Sequence, residues 1–179
     1  MIFDTHAHYD DRKFKADRDS LLKSLKENGI GRVVNIGADI DSTRRSIALA
    51  KEYDFIYAAA GVHPSDIDCL DDRSFQWLTW AVEESVEEKG KIVAVGEIGL
   101  DYYWEKDPEI RALQREVFIR QIELAKNYGV STFCFYYYWF DGGENCAFTA
   151  HTSGMDVMRT RALFVSHPHL DHIAGLPNL

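Results

Sequence analysis

The chain is poor in cysteine and in positive charge, and it has no long apolar run. Its three cysteines, Cys69, Cys134 and Cys146, form no Cys-x-x-Cys pair in 179 residues. That is too few for a disulfide framework and points to free thiols in a reducing cytoplasm. Nothing basic and then apolar precedes the first predicted strand, and no stretch approaches the roughly 18 apolar residues that span a bilayer. A soluble, cytoplasmic protein without membrane association is therefore expected. The formal net charge of -9 excludes a surface that holds nucleic acid through Lys and Arg alone, because phosphate neutralisation supplies most non-specific affinity. A phosphate-bearing ligand would need a divalent cation, held by clustered carboxylates and imidazoles.

What is present is an ordinary globular composition, 46% apolar, long enough for one well-buried domain. Strand and helix alternate four times. Ile2 opens a first strand, and Asp17 to Asn28 follows as a helix with Leu21, Leu22 and Leu25 on one face, stopped by Gly29. Arg32 to Ile36 is a second strand, before a helix capped by Asp41 or Ser42 that carries Ile47, Ala48 and Leu49. Phe55 to Ala60 is a third strand, and Phe75 to Glu88 a helix with Trp77, Leu78, Ala81 and Val82 inward. Ile92 to Val95 lies in a fourth strand. Asp107-Pro108 then caps a long helix whose predicted apolar stripe is Ile110, Leu113, Val117, Ile122 and Ala125, ending at Gly129.

Such alternation implies parallel strands with right-handed crossovers, in a doubly wound sheet or a (β/α) barrel. The doubly wound alternative needs a Gly-rich phosphate turn after the first strand, and Asp10-Asp11-Arg12-Lys13 is not one. In Phe3-Asp4-Thr5-His6-Ala7-His8 the two histidines stand two apart, so on a strand both imidazoles point to one face, as metal ligands do. Glu97, in Gly96-Glu97-Ile98-Gly99-Leu100-Asp101, closes the fourth strand. His6, His8, His63 and Glu97 all fall at C-terminal strand ends, where barrel active sites are built. Asp4 is an acceptor either for a ligand's ring nitrogen or for backbone donors. His63, before Pro64, is a turn residue or a substrate contact. Tyr102, Tyr103 and Trp104 either stack on a nucleobase or pack at the helix entry.

Three motifs in order, Phe3-Asp4-Thr5-His6-Ala7-His8, Gly61-Val62-His63-Pro64 and Gly96-Glu97-Ile98-Gly99-Leu100-Asp101-Tyr102, resemble the TatD-type metal-dependent deoxyribonucleases, within the amidohydrolase-like TIM barrels. The resemblance implies that His6 and His8 hold one metal, that Glu97 bridges two, and that His63 lies close to the phosphate of a DNA substrate. Glu97 and His63 would carry catalysis, with magnesium or manganese as the ions and zinc as an alternative. It also implies further ligands on later strands, and the residues after Gly129 do not offer them.

Past that point the composition changes. Phe133 to Phe140 is an aromatic, β-prone run expected to form a strand. Leu163-Phe164-Val165-Ser166-His167-Pro168-His169-Leu170-Asp171-His172 resembles the metal motif of metallo-β-lactamase-fold hydrolases, which implies a second, zinc-type site at His167, His169, Asp171 and His172. The expected architecture is thus an incomplete TIM-type barrel over residues 1–129, joined near Val130 to a short α/β fragment over residues 130–179. A closed barrel takes eight strands and roughly 250 residues. The expected function is hydrolysis of DNA phosphodiesters, against two alternatives: a truncated or chimeric chain that binds metal without turnover, and a metallo-β-lactamase-like zinc hydrolase. The oligomeric state is left open.

Overall fold

The four strands read in the sequence before Gly129 become neighbouring strands of one sheet. The computed structural model describes residues 1–102, 104–134, 138–140 and 162–164, and the chain divides into two compact units, Met1–Phe133 and Cys134–Leu179. In the first unit, β1 (Ile2–Ala7), β2 (Ile30–Ile36), β3 (Ile56–Ala60), β4 (Ile92–Ile98) and β5 (Ser131–Cys134) lie side by side in sequence order. The pairs β1 with β2, β2 with β3 and β3 with β4 are parallel. Helices α1 (Arg18–Glu27), α2 (Ile40–Glu52), α3 (Asp72–Glu87) and α4 (Pro108–Tyr128) make the crossovers. This is the parallel α/β half-barrel that the alternation implies.

Both faces of the central strands are covered, as a parallel sheet requires. On one face Val34, Ile36, Ala59 and Ala94 form an apolar cluster with Tyr57 packed against it. On the other, Asn35 reaches Ser46 of α2. The central strands are lined with alanine at Ala58, Ala59, Ala60 and Ala94, all buried. Gly61 has the same logic: a Cβ there would stand 2.8 Å from the backbone of Gly96, so the ends of β3 and β4 can close on each other only without one.

Two sequence expectations are corrected. Helix α2 begins at Ile40, and its cap is Asp39 rather than Asp41 or Ser42. The Asp39 carboxylate accepts from the Ser42 N–H while the Ser42 hydroxyl accepts from the Asp39 N–H, a reciprocal capping box. The buried face of α4 keeps part of the predicted stripe, with Val117 and Ala125 buried as expected, but not its first turns. Ile110 and Leu113 are exposed, and the buried residues are Gln114, Val117, Gln121, Leu124 and Ala125. The ends of α4 are as expected, with Asp107 accepting from the Glu109 N–H, Pro108 in the first turn, and Gly129 in the left-handed region at φ 66°.

Of the run Phe133 to Phe140, residues 135–137 lie outside the described residues. Ser131–Cys134 joins the five-stranded sheet as β5, whereas β6 (Tyr138–Phe140) pairs in parallel with β7 (Ala162–Phe164) in the second unit. The motif at His167, His169, Asp171 and His172 lies outside the described residues, as do Tyr103 and Cys146.

Candidate metal centre

His6 sits in β1, His8 one residue past its end, and Glu97 next to last in β4. Although β1 and β4 are separated in the sheet by two strands, one ligand atom from each of these three residues lies within 4.8 Å of the others. His6 Nε2 is 3.1 Å from His8 Nε2 and 3.6 Å from Glu97 Oε2. Two nitrogens that share an ion at about 2.1 Å stand roughly 3.0 to 3.4 Å apart for bond angles of about 90 to 109°. The imidazole pair therefore already has the spacing of two ligands on one cation.

The protonation pattern suits the same use. His8 Nδ1 stands 3.1 Å from the Ile36 carbonyl oxygen, which can only accept. Nδ1 must therefore carry the proton, and the Nε2 lone pair is directed to the cluster. Burial pushes the His6 pKa below its ordinary value, and the neighbouring His8 adds to this; Glu97 and Asp4 push the other way without winning. His6 is thus neutral at pH 7, the state in which imidazole binds metal. Glu97 is buried, and its backbone N–H donates to the Gly37 carbonyl at 2.7 Å. A buried carboxylate facing two imidazoles is a donor set that fits a divalent cation.

Of the two roles open to Asp4, the structure gives the backbone one: its carboxylate accepts from the His6 N–H at 3.2 Å. The segment after His8 is tied down by Arg18, whose Nε donates to the Tyr9 carbonyl and whose Nη2 donates to those of Asp10 and Asp11. Beneath it lies a polar cluster. Buried Asn35 donates to Asp10 Oδ1 and to Ser46 Oγ and accepts from the Tyr9 N–H, while Arg45 pairs with Asp10 at 3.1 Å. Beside His8 opens a cleft of about 370 Å³, walled in part by Asp10, Arg12, Asp39 and Arg45.

His63 is not one of the three clustered residues. It follows β3, and its Nδ1 accepts from the Ser65 N–H at 3.2 Å, capping the short 3-10 turn Pro64–Cys69. Tyr102 is held against α4: its hydroxyl accepts from Arg115 at 2.9 Å, and the Arg111 guanidinium lies over its ring, 4.8 Å from the centroid. Among the three aromatic residues after Asp101, Trp104 is the most open of those described, at 79% exposure.

Comparison with known proteins falls on the same segment. A sequence model of the family described as TatD related DNase matches residues 3–133, well over half the chain. The chain belongs to the TatD-related DNase family. It is 42% identical over 126 residues to the uncharacterized metal-dependent hydrolase YabD of Bacillus subtilis, a match that takes in 70% of this chain and 47% of YabD. It is 26% identical over 132 residues to the 3'-5' ssDNA/RNA exonuclease TatD of Cronobacter sakazakii, covering 74% of this chain and 48% of that protein. The crystal structure of YjjV, a TatD homolog from Escherichia coli, superposes with a TM-score of 0.64 at 33% identity, over 73% of this chain and 49% of YjjV. The chain spans about half the length of the curated relatives it matches.

Sequence reasoning overlooked Asn35, Arg18, Gln114 and Gln121. A polar residue inside a strand of Val and Ile is a readable signal for Asn35. The glutamines carry none, since they read as the solvated side of α4.

Proposed function

We propose that this chain carries the front half of a metal-dependent phosphodiesterase centre, with His6, His8 and Glu97 holding a divalent cation and a nucleic-acid strand as substrate. The observation that supports it most directly is the meeting of those three donors, from strands 90 residues apart in sequence, inside the segment matched by the family. The cation would supply Lewis acidity at the scissile phosphate and an acidified water. His6 and His8 would offer neutral Nε2 lone pairs, and Glu97 its buried negative charge. His63, oriented through Nδ1 by Ser65, would present Nε2 to a phosphate oxygen. Because the Cronobacter relative bears the name of a single-stranded DNA and RNA exonuclease, single strands are the first substrate to test.

The test combines manganese titration with cleavage of a labelled single strand. Wild-type chain is expected to bind the ion and to cleave; Glu97→Gln should lose cleavage and weaken binding by at least about tenfold. Cleavage that persists in Glu97→Gln or in excess chelator would assign the activity elsewhere. A second reading is metal binding without turnover, favoured by the count of three donors among the described residues, where a two-metal site takes more. Full manganese binding with no cleavage selects it. The zinc-type site at His167, His169, Asp171 and His172 is a separate proposal, resting on the motif; loss of bound zinc on His169→Ala with His6 intact would support it.

A further inference from the structure

The two glutamines of α4 belong to no expected site, yet they are among the most deeply buried side chains described, at 2% and 1% exposure. They stand seven residues apart, two helical turns, and so point to the same side of the helix. Each makes a two-point contact with backbone. Gln121 Oε1 accepts from the Val62 N–H at 2.8 Å, and its Nε2 donates to the Val62 carbonyl at 3.0 Å. Gln114 Oε1 accepts from the Asp101 N–H at 3.0 Å, and its Nε2 donates to the Pro64 carbonyl at 3.0 Å. The residue between, His63, donates its own N–H to the Ala38 carbonyl at 2.7 Å.

Three consecutive residues, Val62, His63 and Pro64, are therefore tied through their backbones to α4 and to the turn before α2. We propose that Gln121 and Gln114 are positioning residues, fixing the His63 backbone relative to the β3 and β4 ends so that its imidazole is held ready for a substrate phosphate. This rests on the reading of His63 given above. An apolar residue would pack as well on α4 but would leave the buried N–H and carbonyl of Val62 without partners, and the segment would have to move to find water. The amide is what one side chain needs to serve a donor and an acceptor on the same residue. Gln114 extends the clasp to Asp101, four residues after Glu97, so one helix steadies both loops that leave the candidate site.

The test is a double-mutant cycle on the full chain with saturating manganese, read by fluorescence anisotropy of a labelled oligothymidylate with cleavage-resistant phosphorothioate linkages. Gln121→Met and His63→Ala should each weaken binding about tenfold, the double variant should be no weaker than His63→Ala, and manganese affinity should be unchanged by Gln121→Met. Additive losses, or unchanged binding in Gln121→Met, would overturn the proposal. If the wild-type chain binds no oligonucleotide, the phosphodiesterase reading fails on its own, and the clasp is judged by NMR of the metal-free chain. There Gln121→Met should shift the His63 ring signals while those of His6 and His8 stay in place; unmoved His63 signals would sink it. Should Gln121→Met not fold, Gln114→Met replaces it, removing the contacts to the Asp101 N–H and the Pro64 carbonyl, with the same outcomes deciding.

Discussion

Asn35 shows how much one buried amide can organise. Its side chain spends both donors on Asp10 and Ser46 and its acceptor on the Tyr9 N–H, all at 2.7 to 2.9 Å. The Asp10 carboxylate, 3% exposed, depends on that amide and on Arg45. Asn35→Ala should destabilise the chain by about 2 to 4 kcal/mol, because both Asp10 and the Tyr9 N–H lose a buried partner. Asn35→Asp should be worse still, since it sets two carboxylates face to face. Urea denaturation midpoints of the two variants check the order. At this scale the sequence was legible where chemistry is written into spacing. The strand pair His6 and His8 and the strand-end Glu97 were picked out from their positions, and the structure brings them together. Asn35 and the two glutamines were not, because their partners are backbone groups and residues distant in sequence, which no local pattern records.

Among the elements, the order of strands and helices was readable from alternation, while the errors fell on caps and faces. Helix α2 was given the wrong cap because three candidates crowd its start, and only geometry shows Asp39 meeting Ser42. Burial pushes the Asp39 pKa up, but the hydrogen bonds from the Ser42 N–H and hydroxyl outweigh it and hold the carboxyl below its usual 3.8. A depressed pKa means that this contribution is present above the ordinary carboxylate range and is lost as pH falls through the folded value. Asp39→Ala should therefore cost about 1 kcal/mol at neutral pH, and the gap from wild type should narrow as pH drops below about 4. Thermal melts at pH 7 and pH 3 measure both numbers. On α4, hydropathy placed Val117 and Ala125 correctly but took exposed Ile110 and Leu113 for the inner face, where buried Gln114 and Gln121 stand instead. Leu113→Gln is accordingly expected to stay within about 0.5 kcal/mol of wild type, while Leu124→Ala should cost about 2 to 5 kcal/mol. Equal effects would return the inner face to the predicted stripe.

For the whole molecule, two independent boundaries coincide: the family match ends at residue 133, and so does the first compact unit. The composition of the sequence also shifts past Gly129. Everything that supports a metal centre among the described residues lies on one side of that boundary, and it amounts to three donors. Three donors with open positions suit one ion, so the first unit should take up a single manganese per chain. Elemental analysis of the dialysed chain counts it directly. One ion, lost in Glu97→Gln and retained in His169→Ala, locates all tight binding in the first unit. A second ion that disappears with His169→Ala would instead place a separate site in the second unit, and that result alone would make the tail a functional element. Binding should also be pH-dependent, since each imidazole must be neutral to ligate. Burial holds His6 below its ordinary value of 6.5, so protons compete for that residue chiefly on the acid side of that value. Manganese affinity should change little between pH 8 and pH 7 on its account and fall steeply only on the acid side, a profile that isothermal titration across pH would trace.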